Sequence, residues 1–210
     1  SPESLGRPVD VRYRAPEAGE KEQLASVVQQ AGESDTGLVL LWCEDRVVAI
    51  APPFPVEEDS FTDGVDTLPL VELLSRDLFV GIILLRLGRY AVGVVHGDKL
   101  VASRSGTRYV KSRHRAGGSS QRRFERSRER LIGELFGKTC QTSREVFTPF
   151  DNRIDYLLMG GDRHVLQGFV KSCVFLQRSE AVTLQRMLDV KRPGRAALEQ
   201  MPYEVWKSRV

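Results

Sequence analysis

The chain has 210 residues, of which 41% are hydrophobic and 28% charged, a globular balance that excludes a wholly disordered or fibrous protein. The length fits one domain or one domain with appendages. The longest apolar run, Phe79–Leu85, is strand-sized and far short of the ~18 residues needed to span a membrane. Net charge is only +3, yet residues 1–70 carry 14 acidic and five basic side chains, while 104–130 carry ten basic and two acidic, a local net of +8. A basic block on a near-neutral chain is the footprint of a polyanion contact, nucleic acid above all. A solvated helix face with no partner is the competing reading.

In chain order, 1–36 is polar, and Glu20–Ala31 carries the spacing of a short helix. Leu38–Trp42 and Val47–Ala51 predict a β-hairpin, stopped by Pro52-Pro53-Phe54-Pro55. An acidic loop precedes a short helix over Leu68–Arg76. The runs Phe79–Leu87, Tyr90–His96 and Lys99–Ser105, joined at Gly88-Arg89 and Gly97-Asp98, predict a three-stranded antiparallel meander. Arg108–Lys111 reads as extended and Arg113–Ser120 as a loop. From Gln121 to Lys138 an apolar stripe of Phe124, Leu131, Ile132, Leu135 and Phe136 predicts a helix, with Ser119 or Ser120 as N-cap and Gly137 as its stop. Ile154–Met159 reads as a strand turning through Gly160-Gly161-Asp162 into a helix near Arg163–Phe169. Ser172–Leu176 then reads as a last strand and Glu180–Leu188 as a helix, before a helical tail from Pro193 interrupted by Pro202. Together these elements predict an α/β fold with a mixed sheet.

Three dispersed cysteines, Cys43, Cys140 and Cys173, form no CxxC pair, so neither a disulfide framework nor a structural zinc site is expected. A reducing cytoplasm is the default compartment. The N-terminal Ser-Pro-Glu-Ser lacks the pattern of a secretory signal. Gly133–Thr139 misses the phosphate-loop spacing by one residue between its glycines. Asp151, Asp155 and Asp162 are the acidic candidates for a two-metal nuclease, but loop solvation and helix capping explain them more simply. No Gly-x-Ser-x-Gly elbow surrounds Ser119 or Ser120.

The segment Lys111–Glu129 is different. Gly117 and Gly118 let the backbone approach another surface closely, and Ser119 and Ser120 keep the tip narrow. Arginines flank both sides and could hold phosphates. Gln121 follows the tip; its amide is no acid or base near neutral pH, but it can both accept from and donate to a water. The residues alone favour a flexible basic RNA-binding turn.

Here the sequence resembles the catalytic middle domain of eukaryotic and archaeal class I peptide release factors, in which a Gly-Gly-Gln loop runs into a long helix of Arg-Phe-x-Arg-x-Arg-x-Glu pattern. Arg123-Phe124-Glu125-Arg126-Ser127-Arg128-Glu129 nearly matches, with the glutamate one position off. Ser119 stands where that family has its glutamine, and Gln121 lies two residues later. Gly118-Ser119-Ser120-Gln121 resembles the Gly-x-x-Gln loop of the Vms-like release factors, peptidyl-tRNA hydrolases of ribosome quality control, and the chain looks like a stand-alone prokaryotic member.

The resemblance implies a release-factor middle-domain-like (ribonuclease H-like) fold, largely antiparallel, with a basic catalytic loop leading into a long helix. It implies a polar extension at 1–36, a catalytic domain at 37–190 and a helical tail at 191–210. It implies a cytoplasmic peptidyl-tRNA hydrolase, monomeric off the ribosome, without metal, organic cofactor or membrane. Its partners would be the 23S-type rRNA of the large subunit and peptidyl-tRNA. Gln121 would act with Gly117, Gly118, Ser119 and Ser120, while Lys111, Arg113, His114, Arg115, Arg122, Arg123 and Arg126 bind RNA. The alternatives are a non-catalytic ribosome- or RNA-binding module of the same fold, or a metal-dependent nuclease using Asp155 and Asp162.

Overall fold

A computed structural model describes residues 18–32, 34–43, 46–58, 60, 66–111, 119–150, 152–177 and 182–210. They fall into two compact units, Ser1–Arg76 with Lys207–Val210, and Asp77–Trp206.

In the first unit, helix α1 (Ala18–Ala31) precedes the hairpin of β1 (Val39–Cys43) and β2 (Arg46–Ile50), paired antiparallel from Val39↔Ile50 to Cys43↔Arg46. Past the hairpin, Ala51 exchanges backbone hydrogen bonds with Arg209 at 2.8 and 3.0 Å. The proline-rich stop is fastened by Thr36, whose hydroxyl donates to the Pro52 carbonyl at 2.7 Å. Helix α2 (Leu68–Leu74) starts with proline in its first turn, where the missing amide costs no helical bond.

The second unit is built on β3 (Phe79–Arg86), β4 (Arg89–His96), β5 (Lys99–Thr107), β6 (Tyr156–Gly161) and β7 (Val182–Leu188). Their order is β5-β4-β3-β6-β7. The meander β3-β4-β5 is antiparallel and its ladders are the longer ones, while β6 lies parallel to β3, and β7 parallel to β6. This is a mixed sheet packed with helices, as the order of elements in the sequence predicts. Between the sheet strands run α3 (Ser119–Phe147), α4 (Arg163–Ser172) and α5 (Val174–Gln177), and α6 (Arg195–Val205) follows.

Both faces of the sheet are covered, which is why Phe79–Leu85 reads as one apolar run instead of an alternation. Ile83, Leu85, Tyr90, Val92, Leu157 and Met159 pack with Leu135, Val146 and Phe147 of α3 and Leu166 and Phe169 of α4. On the opposite face α6 lies against β4 and β5. Trp206 donates its indole N–H to the Gly97 carbonyl at 2.8 Å. Two glycines set close approaches. At Gly161, φ is +117° and a Cβ would come within 2.2 Å of the Leu85 carbonyl oxygen, so only glycine ends β6 there. At Gly168 a Cβ would meet the Phe136 ring at 3.2 Å, so the missing side chain brings α4 close to α3.

Several expectations are corrected. Gly137 does not stop the helix, which runs on to Phe147, and Ser119 and Ser120 lie within it. The continuing buried stripe is Thr139, Thr142 and Ser143 before Val146 and Phe147, so its first turns carry no apolar signal. Their hydroxyls are satisfied internally: Thr139 donates to the Leu135 carbonyl at 2.8 Å and Ser143 to the Thr139 carbonyl at 3.0 Å.

Segments 172–176 and 182–188 exchange their predicted types. The stripe Leu166, Phe169, Cys173 and Leu176 continues at helical spacing through the α4–α5 junction. Leu184 and Leu188, buried four apart, suit a helix turn and two strand repeats alike, and pairing with β6 decides for the strand. Arg108–Lys111 continues past β5 without joining a strand. Pro202 is accommodated inside α6, where buried Leu198, Met201 and Val205 hold both sides of the lost hydrogen bond. Cys140 and Cys173 form a disulfide across 33 residues, tying α3 to the C-cap of α4. Distant in sequence, the two are neighbours only because α3 and α4 share one face of the sheet.

Candidate functional site

Helix α3 carries the basic block and the glutamine. Its 29 residues span about 43 Å at ~1.5 Å each, more than the sheet face needs. Burial begins at Leu135; in residues 119–130 the described side chains are exposed or half-buried. The N-terminal half is therefore a protruding basic rod whose C-terminal half is rooted in the core.

The segment before the loop is laid against this rod. The Arg108 amide donates to the Gly88 carbonyl at 2.9 Å, and its guanidinium reaches Glu134 at 3.0 Å. Val110 packs on the core. Lys111 donates to the Ser127 hydroxyl at 3.1 Å and lies over the Phe124 ring, 5.3 Å from its centroid. Arg128 returns a bond from Nε to the Lys111 carbonyl at 3.1 Å. The exit of the preceding strand is thus pinned beside the third turn of α3, eight residues from Ser119, or about 12 Å along the axis.

The basic residues divide into two sets. Arg104 pairs with Glu145, and Arg108 and Arg130 share Glu134. Such exposed pairs contribute little stability but neutralise much of the charge. Arg122, Arg123 and Arg126 are exposed, and no acidic side chain among the described residues pairs with them. They crowd a helix start that has no acidic residue in its first turn, where the macrodipole disfavours cations. Local stability does not account for that placement.

Gln121 sits in the first turn of α3, half-buried, and its Nε2 donates to Glu125 at 3.0 Å. A carboxylate only accepts, so the amide nitrogen must face Glu125 and the amide oxygen is turned away from it. Glu125 was not singled out from the sequence, although its i+4 spacing from Gln121 was visible. Ser127 and Arg128, which hold the loop stem, are likewise legible only in three dimensions. Gly117, Gly118, Arg113, His114 and Arg115 lie outside the described residues, and so does Asp151. The backbone of Ser119 and Ser120 opens the helix.

The carboxylates of the nuclease alternative are committed elsewhere. Asp155 accepts from the Phe79 amide at 2.8 Å, locking the start of β3. Asp162 is the N-cap of α4 and accepts from the His164 and Val165 amides at 3.0 and 3.1 Å. They flank the six residues of β6 and so stand roughly 20 Å apart, whereas paired catalytic metals sit about 4 Å apart. His96 hydrogen-bonds Asp77 at 2.5 Å and stacks on Phe79, another structural role. Among the described residues no helix is long and apolar enough to cross a membrane.

Residues 79–210 match a family described as the Actinobacteria/chloroflexi VLRF1 release factor. The chain is 27% identical over 194 residues to peptide chain release factor subunit 1 of Thermococcus sibiricus, covering 90% of this chain and 44% of that protein. It is 33% identical over 93 residues to the same factor of Archaeoglobus fulgidus, covering 44% of this chain and 23% of that protein. The chain thus spans less than half the length of these curated relatives. The crystal structure of an archaeal translation termination factor, aRF1, is similar at 18% identity and a TM-score of 0.48, covering 88% of this chain and 54% of that one. The matched segment contains the whole five-stranded sheet, the basic helix α3 and Gln121, and the chain belongs to the Actinobacteria/chloroflexi VLRF1 release factor family.

Proposed function

We propose that this chain is a cytoplasmic peptidyl-tRNA hydrolase that frees nascent chains from stalled ribosomes. The observation that carries the reading is Gln121 in the first turn of a helix whose exposed half displays three arginines without acidic partners among the described residues. In this reading the tip Gly117-Gly118-Ser119-Ser120 enters the peptidyl-transferase centre. Arg113, His114, Arg115, Arg122, Arg123 and Arg126 bind 23S-type rRNA or the tRNA acceptor end. Lys111 is occupied by Ser127 and Phe124, so it serves mainly as a strut of the stem.

Chain length supports the reach. Eight Cα steps separate Lys111 from Ser119, an extended span of up to about 28 Å. With stems ~12 Å apart along the helix, a tip could pass the helix end by up to about 8 Å.

The chemistry is ester hydrolysis. A water oxygen attacks the carbonyl carbon that joins the peptide to the 3′-terminal ribose. The bond to the ribose oxygen breaks; one water proton goes to that oxygen, giving a free tRNA hydroxyl, and the other is lost to solvent, leaving a peptide carboxylate. Gln121 positions the water through its amide oxygen, because Glu125 holds the nitrogen. Its backbone amide steadies developing oxyanion charge. A positioned amide and an RNA-walled site require no metal or organic cofactor from this chain, which would act as a monomer off the ribosome.

The test is release of labelled peptide from peptidyl-tRNA on purified ribosomal particles. Gln121→Ala is expected to slow release about a hundredfold or more while particle binding persists. Glu125→Ala is expected to slow it less, with Glu125→Gln restoring part of the rate. Wild-type release retained in Gln121→Ala would refute the assigned role. Binding without release by wild type would favour the non-catalytic RNA-binding reading.

A further inference from the structure

Tyr109 has no role in the chemistry above, yet its placement is unusual. Its neighbours are all fastened: Arg108 by the Gly88 carbonyl and Glu134, Val110 by the core, and Lys111 by Ser127 and Arg128. Tyr109 is the most exposed aromatic of the segment, with 74% of its surface open, and unlike exposed Arg108 it has no ion pair to hold it. Among the described residues nothing bonds to its hydroxyl or stacks on its ring. A tyrosine left outside a core forfeits the large apolar burial that such a ring can supply. Isolated exposed aromatics are common and need no explanation by themselves. This one is held on a braced backbone, with Arg108 and Lys111 beside it in the chain and Arg130 sharing the Glu134 carboxylate with Arg108.

We propose that Tyr109 is a stacking platform for an unpaired RNA nucleobase at the base of the loop. A flat ring within the basic block 104–130, whose net charge is +8, suits single-stranded RNA: the excess positive charge of the block draws the phosphates while a base lies on the aromatic face. The braced backbone lowers the ordering cost of that contact. The site deepens the RNA-binding part of the proposed function and is independent of whether Gln121 is catalytic. A protein partner would exploit the same ring through apolar burial, but the surrounding positive charge favours the polyanion.

The experiment is a fluorescence-anisotropy titration of the full chain with a short fluorescein-labelled single-stranded RNA at several salt concentrations. Tyr109→Ala is expected to weaken binding roughly 5- to 100-fold, with the salt dependence kept, because the ring neutralises no phosphate. Tyr109→Phe is expected to bind as wild type does. The thermal midpoint should not move in either variant, since the side chain is exposed. Wild-type affinity in Tyr109→Ala would overturn the proposal. So would equal losses in Tyr109→Ala and Tyr109→Phe, which would assign the contact to the hydroxyl. Arg126→Ala separates the two levels. If it weakens binding while Tyr109→Ala does not, only the platform is wrong. If neither substitution matters and binding ignores salt, the RNA-binding reading fails with it.

Discussion

The two halves of α3 are one continuous helix built for opposite purposes. From Leu135 onward its inward stripe is buried against the sheet and α4, with Leu135, Thr139 and Ser143 fully enclosed. Before that point the helix runs past the core and carries arginines where its own dipole disfavours them. Stability accounts for the residues of the C-terminal half. It does not account for those of the N-terminal half, and the difference singles out that half as the surface for the proposed RNA contact. The rooted half makes the exposed half rigid, so a basic surface is presented without the entropy cost of ordering it on binding.

That contrast can be broken, beginning with the largest effect. Leu135→Ala should destabilise the fold by about 2–5 kcal/mol, as for a large core residue cut to a methyl. Denaturant unfolding would read it, and a loss within error would mean that the root is not where the burial places it. Replacing Cys140 and Cys173 together by serine should cost about 3–4 kcal/mol by the loop-closure relation for a 33-residue separation. A thermal melt with and without reductant checks the same bond in the unaltered chain.

On the exposed half the same measurements should be nearly silent. Arg126→Ala should leave stability unchanged, or raise it by a few tenths of a kcal/mol through relief at the helix start. It should instead lower the salt dependence of RNA binding by about one phosphate contact. A large loss of stability in Arg126→Ala would erase the distinction between the halves.

Much of this molecule is legible before folding. The meander β3-β4-β5 is readable because two-residue turns between apolar runs leave few alternatives. The basic block and Gln121 are readable because charge density and residue chemistry do not depend on the fold. The second half of α3 was hidden because its buried stripe is threonine and serine, which count as polar until their hydroxyls are seen bonding back to the preceding turn. At 182–188 the four-residue spacing of Leu184 and Leu188 satisfies both periods, whereas the helical stripe that types 172–176 begins upstream, in α4. Helix capping, the simpler reading from the sequence, holds for Asp162, while the role of Asp155 in anchoring β3 needed the fold to show it.

The amino-acid sequence by itself determined the apolar strands and the charge segregation, because these are properties of local residue order. Only the tertiary structure decided which charges find partners among the described residues. Glu134 and Glu145 neutralise Arg104, Arg108 and Arg130 from distant or neighbouring turns, while Arg122, Arg123 and Arg126 extend past the reach of both. It also decided that Cys140 meets Cys173, and that Tyr109 stays exposed within a braced segment. Each depends on where α3 lies against the sheet. That position is set by burial summed over many side chains, and no local stretch of sequence contains it.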